Sequence, residues 1–393
     1  TKYRLSPAVT FFNQVQYSDI LIDRSINPAN LGNARIDATD FANESRVNFN
    51  LLEGAITGVA GIYYRKQKSV DYLNFLGSNL FDDDKTGLGI FSETTWKFAD
   101  RWSLTGGLRY QRDEQTRTGT SPFIPGTLSF DGKFEEVLPR VALAYDISPQ
   151  ITIGALASKG YNPGGILLSV IQQEYVPFKK ETLWNYELFA RTTLLNGRLN
   201  VNANLFYTDF TDAQRQQSTA IPGTSLTDLV VLNAEDARSY GLEVSGRFTV
   251  TDSFRITGGF GLLQTEFKEF SAAVADLEGK EFQQAPGFMF NVGFDWEFMK
   301  GLTFGASVRH TDEYFSDDIN TRSLGVDAFT VADFKLSYQP DERIRIFGYV
   351  NNAFDSIHAT NRRAQPNRSG GQDVFVTIER PREFGVGASI KLN

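Results

Sequence analysis

The chain has 393 residues, a formal charge of −8, 13% aromatic residues, 34 glycines and no cysteine. That charge, without clustered Lys and Arg, excludes a nucleic-acid partner, and the lack of cysteine excludes a disulfide framework or thiolate metal site. The longest apolar stretches, such as residues 55–64, are too short and glycine-broken to cross a bilayer as a helix, which needs about 20 apolar residues.

The chain opens on the end of a strand at Thr1 to Leu5, with no leader peptide before it, so the natural N-terminus is expected upstream. Further along, period-two alternation recurs. Trp102, Leu104, Leu108 and Tyr110 alternate with Ser103, Thr105 and Arg109; Leu199, Val201, Ala203 and Leu205 alternate with Asn200, Asn202 and Asn204. Leu242, Val244, Phe248 and Val250 alternate with Glu243, Ser245, Arg247 and Thr249, and Phe290 to Phe298 with Asn291, Asp295 and Glu297. Ile344 and Ile346 alternate with Arg343 and Arg345. A strand sends successive side chains to opposite faces, so each segment has one apolar and one polar surface.

Short turns fall at 5–7, 52–54, 98–101, 146–150, 195–198, 250–253, 299–301 and 339–342. Long connections lie between them at 21–40, 69–83, 114–133, 160–180, 212–237, 268–284, 316–326 and 359–372. Strict alternation of short and long is the signature of an up-and-down membrane barrel, with turns on the periplasmic side and loops outside. Trp96, Phe98, Trp102, Tyr145, Phe248, Phe254, Trp296, Phe298 and Tyr338 crowd the short turns, as a periplasmic aromatic girdle requires. The pattern predicts an all-β, antiparallel up-and-down transmembrane β-barrel domain over residues 1–393, with about seventeen strands. Because a barrel closes its last strand onto its first, the odd count predicts a fragment.

Several stretches carry a family resemblance: Lys159-Gly160-Tyr161-Asn162-Pro163-Gly164-Gly165, Glu181 to Leu188, Asn204 to Asp209, Tyr240-Gly241-Leu242-Glu243, Asn351 to Asp355 and Arg380 to Gly385. In order and spacing this chain resembles the TonB-dependent receptors of Gram-negative outer membranes. The resemblance implies a 22-stranded barrel with a plugged lumen, of which about five N-terminal strands and the plug would be missing here. It also implies import of a scarce, bulky nutrient, most often a ferric siderophore, driven by the TonB-ExbB-ExbD complex through the absent N-terminal region. It implies contact with outer-membrane lipid and lipopolysaccharide, and no cofactor or catalysis. Gly387 to Leu392 resembles the C-terminal assembly strand of such barrels, although the chain ends on Asn393 where the family usually has an aromatic residue.

Candidate ligand-binding residues follow from charge and position. Arg109 and Arg112 lie near the loop end of one strand, where an arginine fork could hold carboxylate or catecholate oxygens; a structural ion pair is the competing role. Tyr161 and Asn162 mark a strand entering a loop, where a turn role competes. Gln214 and Arg215, and Arg362 and Arg363 in the last long connection beside Asn367 and Arg368, are donor-rich; solvation or lipopolysaccharide contact competes. Asp82-Asp83-Asp84 and Asp317-Asp318 lack the spacing of a calcium loop. His310 and His358 fit no metal pattern, so no metal site is assigned. The competing functions are a passive porin or adhesin, and a barrel enzyme using a His-Ser arrangement.

Overall fold

The computed structural model describes residues 1–27, 31–75, 77–221, 227–270, 276–367 and 371–391. Leu392 and Asn393, which end the expected assembly strand, lie outside the described residues. In chain order the first strands are β1 (Lys2–Ser6), β2 (Val9–Arg24), β3 (Leu31–Leu51), β4 (Ile56–Phe75), β5 (Ser78–Ala99), β6 (Trp102–Ser121), β7 (Ile124–Ser148) and β8 (Ile151–Asn162). A small hairpin of β9 (Gly165–Ser169) and β10 (Glu174–Phe178) follows. The wall resumes with β11 (Glu181–Leu194), β12 (Leu199–Ala220), β13 (Thr227–Thr251), β14 (Phe254–Glu269), β15 (Phe288–Met299) and β16 (Leu302–Thr311). The two-residue strands β17 (Tyr314–Phe315) and β18 (Gly325–Val326) precede β19 (Phe329–Tyr338) and β20 (Ile344–Asn351). A last hairpin, β21 (Ala359–Pro366) with β22 (Gln372–Ile378), comes before β23 (Glu383–Ile390).

Leaving out the three small hairpins, every strand pairs antiparallel with the next in sequence, giving one 17-stranded sheet. The expected strand number and direction therefore hold. Among the described residues, β1 pairs with β2 alone and β23 with β20 alone.

Register keeps the two faces distinct. Ile62 faces Ile90, Ile90 faces Tyr110, and Tyr110 faces Val137, so one apolar phase runs across β4 to β7. The same phase continues through Leu188, Leu205, Leu242 and Leu262. At the turn ends rings meet along it: Trp96 and Phe98 at 5.6 Å, Trp102 and Tyr145 at 4.6 Å, and Trp296 and Phe298 at 5.6 Å between centroids. A second ring level, with Tyr207 and Tyr240 at 6.4 Å, lies toward the loop ends. From Trp102 to Tyr110 the strand rises ~27 Å, or ~20 Å once barrel tilt is included, close to the height of an outer-membrane apolar band.

Four expected loops, at 21–40, 69–83, 114–133 and 212–237, are instead largely continuations of β2 to β7, β12 and β13. Beyond the second ring level the apolar phase gives way to charge: Lys66 pairs with Asp84 at 3.3 Å and Arg112 with Glu135 at 3.3 Å. The hydrophobic alternation stops while the hydrogen-bond ladder runs on. The remaining long connections, at 160–180, 268–284, 316–326 and 359–372, contain the small hairpins and irregular segments.

Short turns depend on backbone that side chains resist. Gly301 has a φ of 76°, and a Cβ there would stand 2.4 Å from the Gln339 carbonyl oxygen. Gly301→Val is expected to cost about 2 kcal/mol or more, measured as a lower urea midpoint of the folded chain in detergent; an unchanged midpoint would refute the assignment.

Candidate functional site

The polar-phase face is organised at its loop end by β6. Arg109 donates to Gln111 Oε1 from Nε at 2.9 Å and Nη2 at 2.6 Å, and Gln111 donates to Asp113 at 3.0 Å. Further out, Gln115 donates to Asp83 at 3.2 Å and Arg117 pairs with Asp83 at 3.0 Å. Arg109 lies flat against the wall because Gly89 beneath it has no side chain: a Cβ there would stand 2.3 Å from Nη2. Its guanidinium sits 5.8 Å from the Tyr63 ring centroid and 5.7 Å from that of Phe91. Among the described residues it has hydrogen-bonding and ring neighbours but no carboxylate in ion-pair range.

Arg112 does not join it. Three residues along a strand is an odd step, so Arg112 projects from the opposite face and pairs there with Glu114 and Glu135. The expected arginine fork is therefore split by the pleat. The same rule splits Asp82-Asp83-Asp84, with Asp83 held by Arg117 and Asp84 by Lys66 on opposite faces. Among the described residues no group of three or more metal-ligating side chains converges.

Asn162 and Gln214 are brought together, with Glu181 as the joint, and Tyr161 is not part of that junction. Asn162 Nδ2 donates to Glu181 Oε1 at 2.7 Å, and the Gln214 backbone N–H donates to Oε2 at 2.7 Å. Gln214 Nε2 also donates to the carbonyls of Pro163 and Lys179, at 2.8 and 3.0 Å. The buried Tyr161 hydroxyl neighbours the Asp113 carboxylate. Asn162 and Gln214 thus fix the root of the β9–β10 hairpin.

That hairpin folds over the polar face. Asp228 of β13 accepts from Ser169 Oγ at 2.6 Å and from the Val170 N–H at 2.9 Å. At the hairpin's other side Tyr175 meets Phe81 of β5 edge-on at 6.3 Å. Burial pushes the Tyr175 phenol above its ordinary value, with Arg117 pulling the other way. The hairpin therefore reaches from β13 to β5 across the strands between them.

A second roof element is keyed by Arg215. Its guanidinium forms a two-point pair with the fully buried Asp318, Nε–Oδ2 3.1 Å and Nη2–Oδ1 2.6 Å. It also stacks over Phe267 and Phe282, at 5.2 and 4.6 Å. Asp318 Oδ1 accepts the Gln283 N–H at 2.8 Å, so one carboxylate joins the wall to two connecting segments. Leu277 and Phe282 pack on Phe267, Ala237 and Phe210, which lie on the polar phase of β12 to β14. Residues 276–287 consequently fold inward over that face.

Arg362 staples the last hairpin to the same lobe. Its N–H donates to Ser316 Oγ at 3.0 Å, Nη1 to the Gly325 carbonyl at 2.6 Å, and Nη2 to Asp327 at 3.1 Å. Arg363 on the next position is exposed, and Arg368 lies outside the described residues. His310 shares a 2.8 Å hydrogen bond with Thr330 and stacks on Phe290, while His358 stacks on Phe329. Among the described residues neither histidine forms a hydrogen bond with a serine side chain.

The sequence reading missed Asp113, Glu181, Asp228 and Asp318 as organisers. Asp228 and Asp318 are marked by nothing local, since their partners lie 59 and 103 residues away. Breaking a buried pair costs about 3 kcal/mol, so Arg215→Ala is expected to speed hydrogen exchange at the Gln283 amide by roughly 100-fold. Wall amides such as Leu242 should stay protected; equal loss at both would show that the pair holds the whole sheet rather than the roof.

The family described as "TonB dependent receptor-like, beta-barrel" matches residues 2–353. The pesticin receptor of Yersinia pestis is 24% identical over 311 residues, which are 77% of this chain and 43% of that protein. The metal-pseudopaline receptor CntO of Pseudomonas aeruginosa is 23% identical over 272 residues, 66% of this chain and 35% of that one. The chain thus spans less than half the length of these relatives. Among solved structures, the ferric yersiniabactin uptake receptor FyuA from Yersinia pestis superposes with a TM-score of 0.83 at 19% identity, over 99% of this chain and 60% of that one. The siderophore receptor PiuA from Acinetobacter baumannii does so with 0.78 at 16% identity, over 98% and 62%. With a barrel-wide family match laid over an unbroken antiparallel meander, this chain belongs to the TonB-dependent receptors, as β-barrel sequence of that family.

Proposed function

We propose that this protein is an outer-membrane receptor for active import, with residues 1–393 serving as barrel wall and extracellular mouth. Transport, and not catalysis, is the role that the names of its relatives support. In this reading the apolar phase faces lipid, the short turns face the periplasm and the loop ends face outward. The cargo is a scarce, bulky, metal-carrying compound, and a ferric siderophore fits best. FyuA and PiuA are named for such ligands, and CntO for a metal-pseudopaline complex. Movement of cargo is energised by the TonB-ExbB-ExbD complex.

The observation that carries this reading is the roofed polar mouth with Arg109 on its wall. A guanidinium held flat by two rings and Gln111, with no carboxylate partner among the described residues, keeps hydrogen-bonding and charge capacity for an anionic ligand. Arg215 and Arg362 have spent theirs on the roof, so their contribution is to shape the mouth. Asn162 and Gln214 act in the same way, through Glu181. Arg112, on the opposite face, is a lipid-headgroup contact.

The test is uptake of ⁵⁵Fe by cells carrying the full-length receptor, over a panel of hydroxamate, catecholate and mixed-carboxylate ferric siderophores, with and without TonB. Uptake of one class that disappears without TonB is expected. For that ligand, Arg109→Ala should weaken binding roughly 10- to 100-fold, the loss of one charged hydrogen-bonding group, while Arg112→Ala leaves it unchanged. Ion conductance by the full-length chain in liposomes without any motor would establish a passive porin instead.

A further inference from the structure

β7 outruns its neighbour. It pairs with β6 along its length, from Ile124 opposite Ser121 to Tyr145 opposite Trp102, but with β8 only from Arg140 to Ser148. Beyond Ser158, β8 is paired with β11 alone. The ladder between β7 and β8 thus stops beside Pro139, which has no N–H to offer. In an antiparallel ladder, alternate residues of a strand turn both backbone groups to the same neighbour. The Asp146 N–H donates to the Arg101 carbonyl at the foot of β6, and on the other side the Glu135 carbonyl accepts from Lys180 Nζ, each at 2.8 Å. Even positions of β7 therefore serve β6, and odd positions face away from it. Beyond Glu135 this leaves the N–H and C=O of Thr127, Ser129, Asp131 and Lys133 without a partner among the described residues. All four residues are exposed.

We propose that this edge is a docking strand for an extended peptide segment of a protein that reaches the cell surface, joining the sheet beside β7 in antiparallel register. The inference rests on the membrane placement given above and is independent of what the receptor imports. The edge is closed where it nears the membrane, by Pro139 and by Lys180 on the Glu135 carbonyl. Past that point the segment from Lys133 to Thr127 runs ~20 Å outward with its edge open. Spacing selects the class of partner. Outward groups recur at every second residue, ~6.8 Å apart, as a donor and an acceptor together. Another extended backbone repeats donor and acceptor at that interval, whereas a glycan or a metal chelate does not. Side chains select its sequence. Asp131 and Lys133 stand exposed on the outer side and favour a basic residue opposite the first and an acidic one opposite the second. On the inner side the Phe130 and Phe134 rings close over Gly132, where a Cβ would stand 2.7 and 2.9 Å from them, in line with the buried Leu128. That apolar strip suits branched aliphatic side chains at the partner's alternate positions. The β9–β10 hairpin, the connection next along the chain, leaves the edge open: it pairs within itself and is held by Asp228 of β13.

The experiment uses the full-length receptor in detergent and a fluorescein-labelled probe peptide, Glu-Val-Lys-Val-Thr-Val-Thr, with binding read by fluorescence anisotropy. In antiparallel register the probe's Glu stands opposite Lys133 and its Lys opposite Asp131. Saturable binding of one probe per barrel is expected. N-methylation at the probe's Lys and first Thr removes two N–H groups aimed at β7 and should weaken binding roughly 10-fold or more. N-methylation at its first two Val, whose N–H groups point away from β7, should change binding by less than about 2-fold. Exchanging the receptor's charges, Asp131→Lys with Lys133→Asp, should reverse the preference, so that Lys-Val-Glu-Val-Thr-Val-Thr binds more tightly than the original probe by roughly 5-fold. Heat-modifiable mobility on gels confirms that the exchanged variant is folded. The proposal is overturned if the wild type does not bind the probe, if the two methylated probes bind alike, or if the folded variant keeps the wild-type preference. Neither cargo nor TonB enters the assay, so failure of the import reading would leave its outcome unchanged.

Discussion

Backbone hydrogen bonding is the constraint on which everything else in this molecule depends. A chain crossing hydrocarbon cannot leave N–H or C=O groups unpaired, and here each wall strand between β1 and β23 gives them to the wall strands before and after it in sequence. That ladder fixes the pleat, the pleat fixes a period of two, and the period sorts side chains between two surfaces. Ile62, Ile90, Tyr110 and Val137 become neighbours only because three registers agree. The split between Arg109 and Arg112 is the same rule applied to charge.

Much of this was legible from the amino acids. Alternation such as Phe290 to Phe298 is strong because a membrane-facing position tolerates little else, and the turns at 195–198 and 299–301 announce themselves through glycine and asparagine. Legibility failed where the solvent changed. Past the outer rings the apolar phase carries Lys66, Asp84 and Arg112, so the pattern vanishes although the strands continue, and hairpins were read as loops. It failed again for the roof. Arg215 stood out in the sequence as a donor, but its use as a keystone depends on an aspartate 103 residues away, and no local spacing encodes that. The sequence therefore names the cations, while the division between those held in ion pairs and those without one depends on contacts that only the folded chain makes.

The two kinds of polar residue have different consequences. Asp318 and Asp228 are buried acceptors whose partners are fully engaged, so they specify how the connecting segments lie. Arg109 is held in place by neutral and aromatic neighbours, which orient it without neutralising it. An arginine paired with such an acceptor, as Arg215 is, fixes how the connecting segments lie, and one held as Arg109 is keeps its charge uncompensated by a carboxylate among the described residues.

The packed core of Ala213, Ala234, Ala237, Phe267 and Leu277 has a further implication. A barrel wall has no interior of its own; four of these residues stand on β12 to β14, and Leu277, with Phe282, seats the connecting segment 276–287 on them as a small unit. Local opening of such a unit costs its own contacts and few ladder bonds, which makes it a separate cooperative element. Substitutions at Leu277 and Phe282 can then alter the shape of the connecting segment over evolutionary time while the membrane-crossing strands remain under a selection of their own. Entrance and wall can diverge at different rates within one chain.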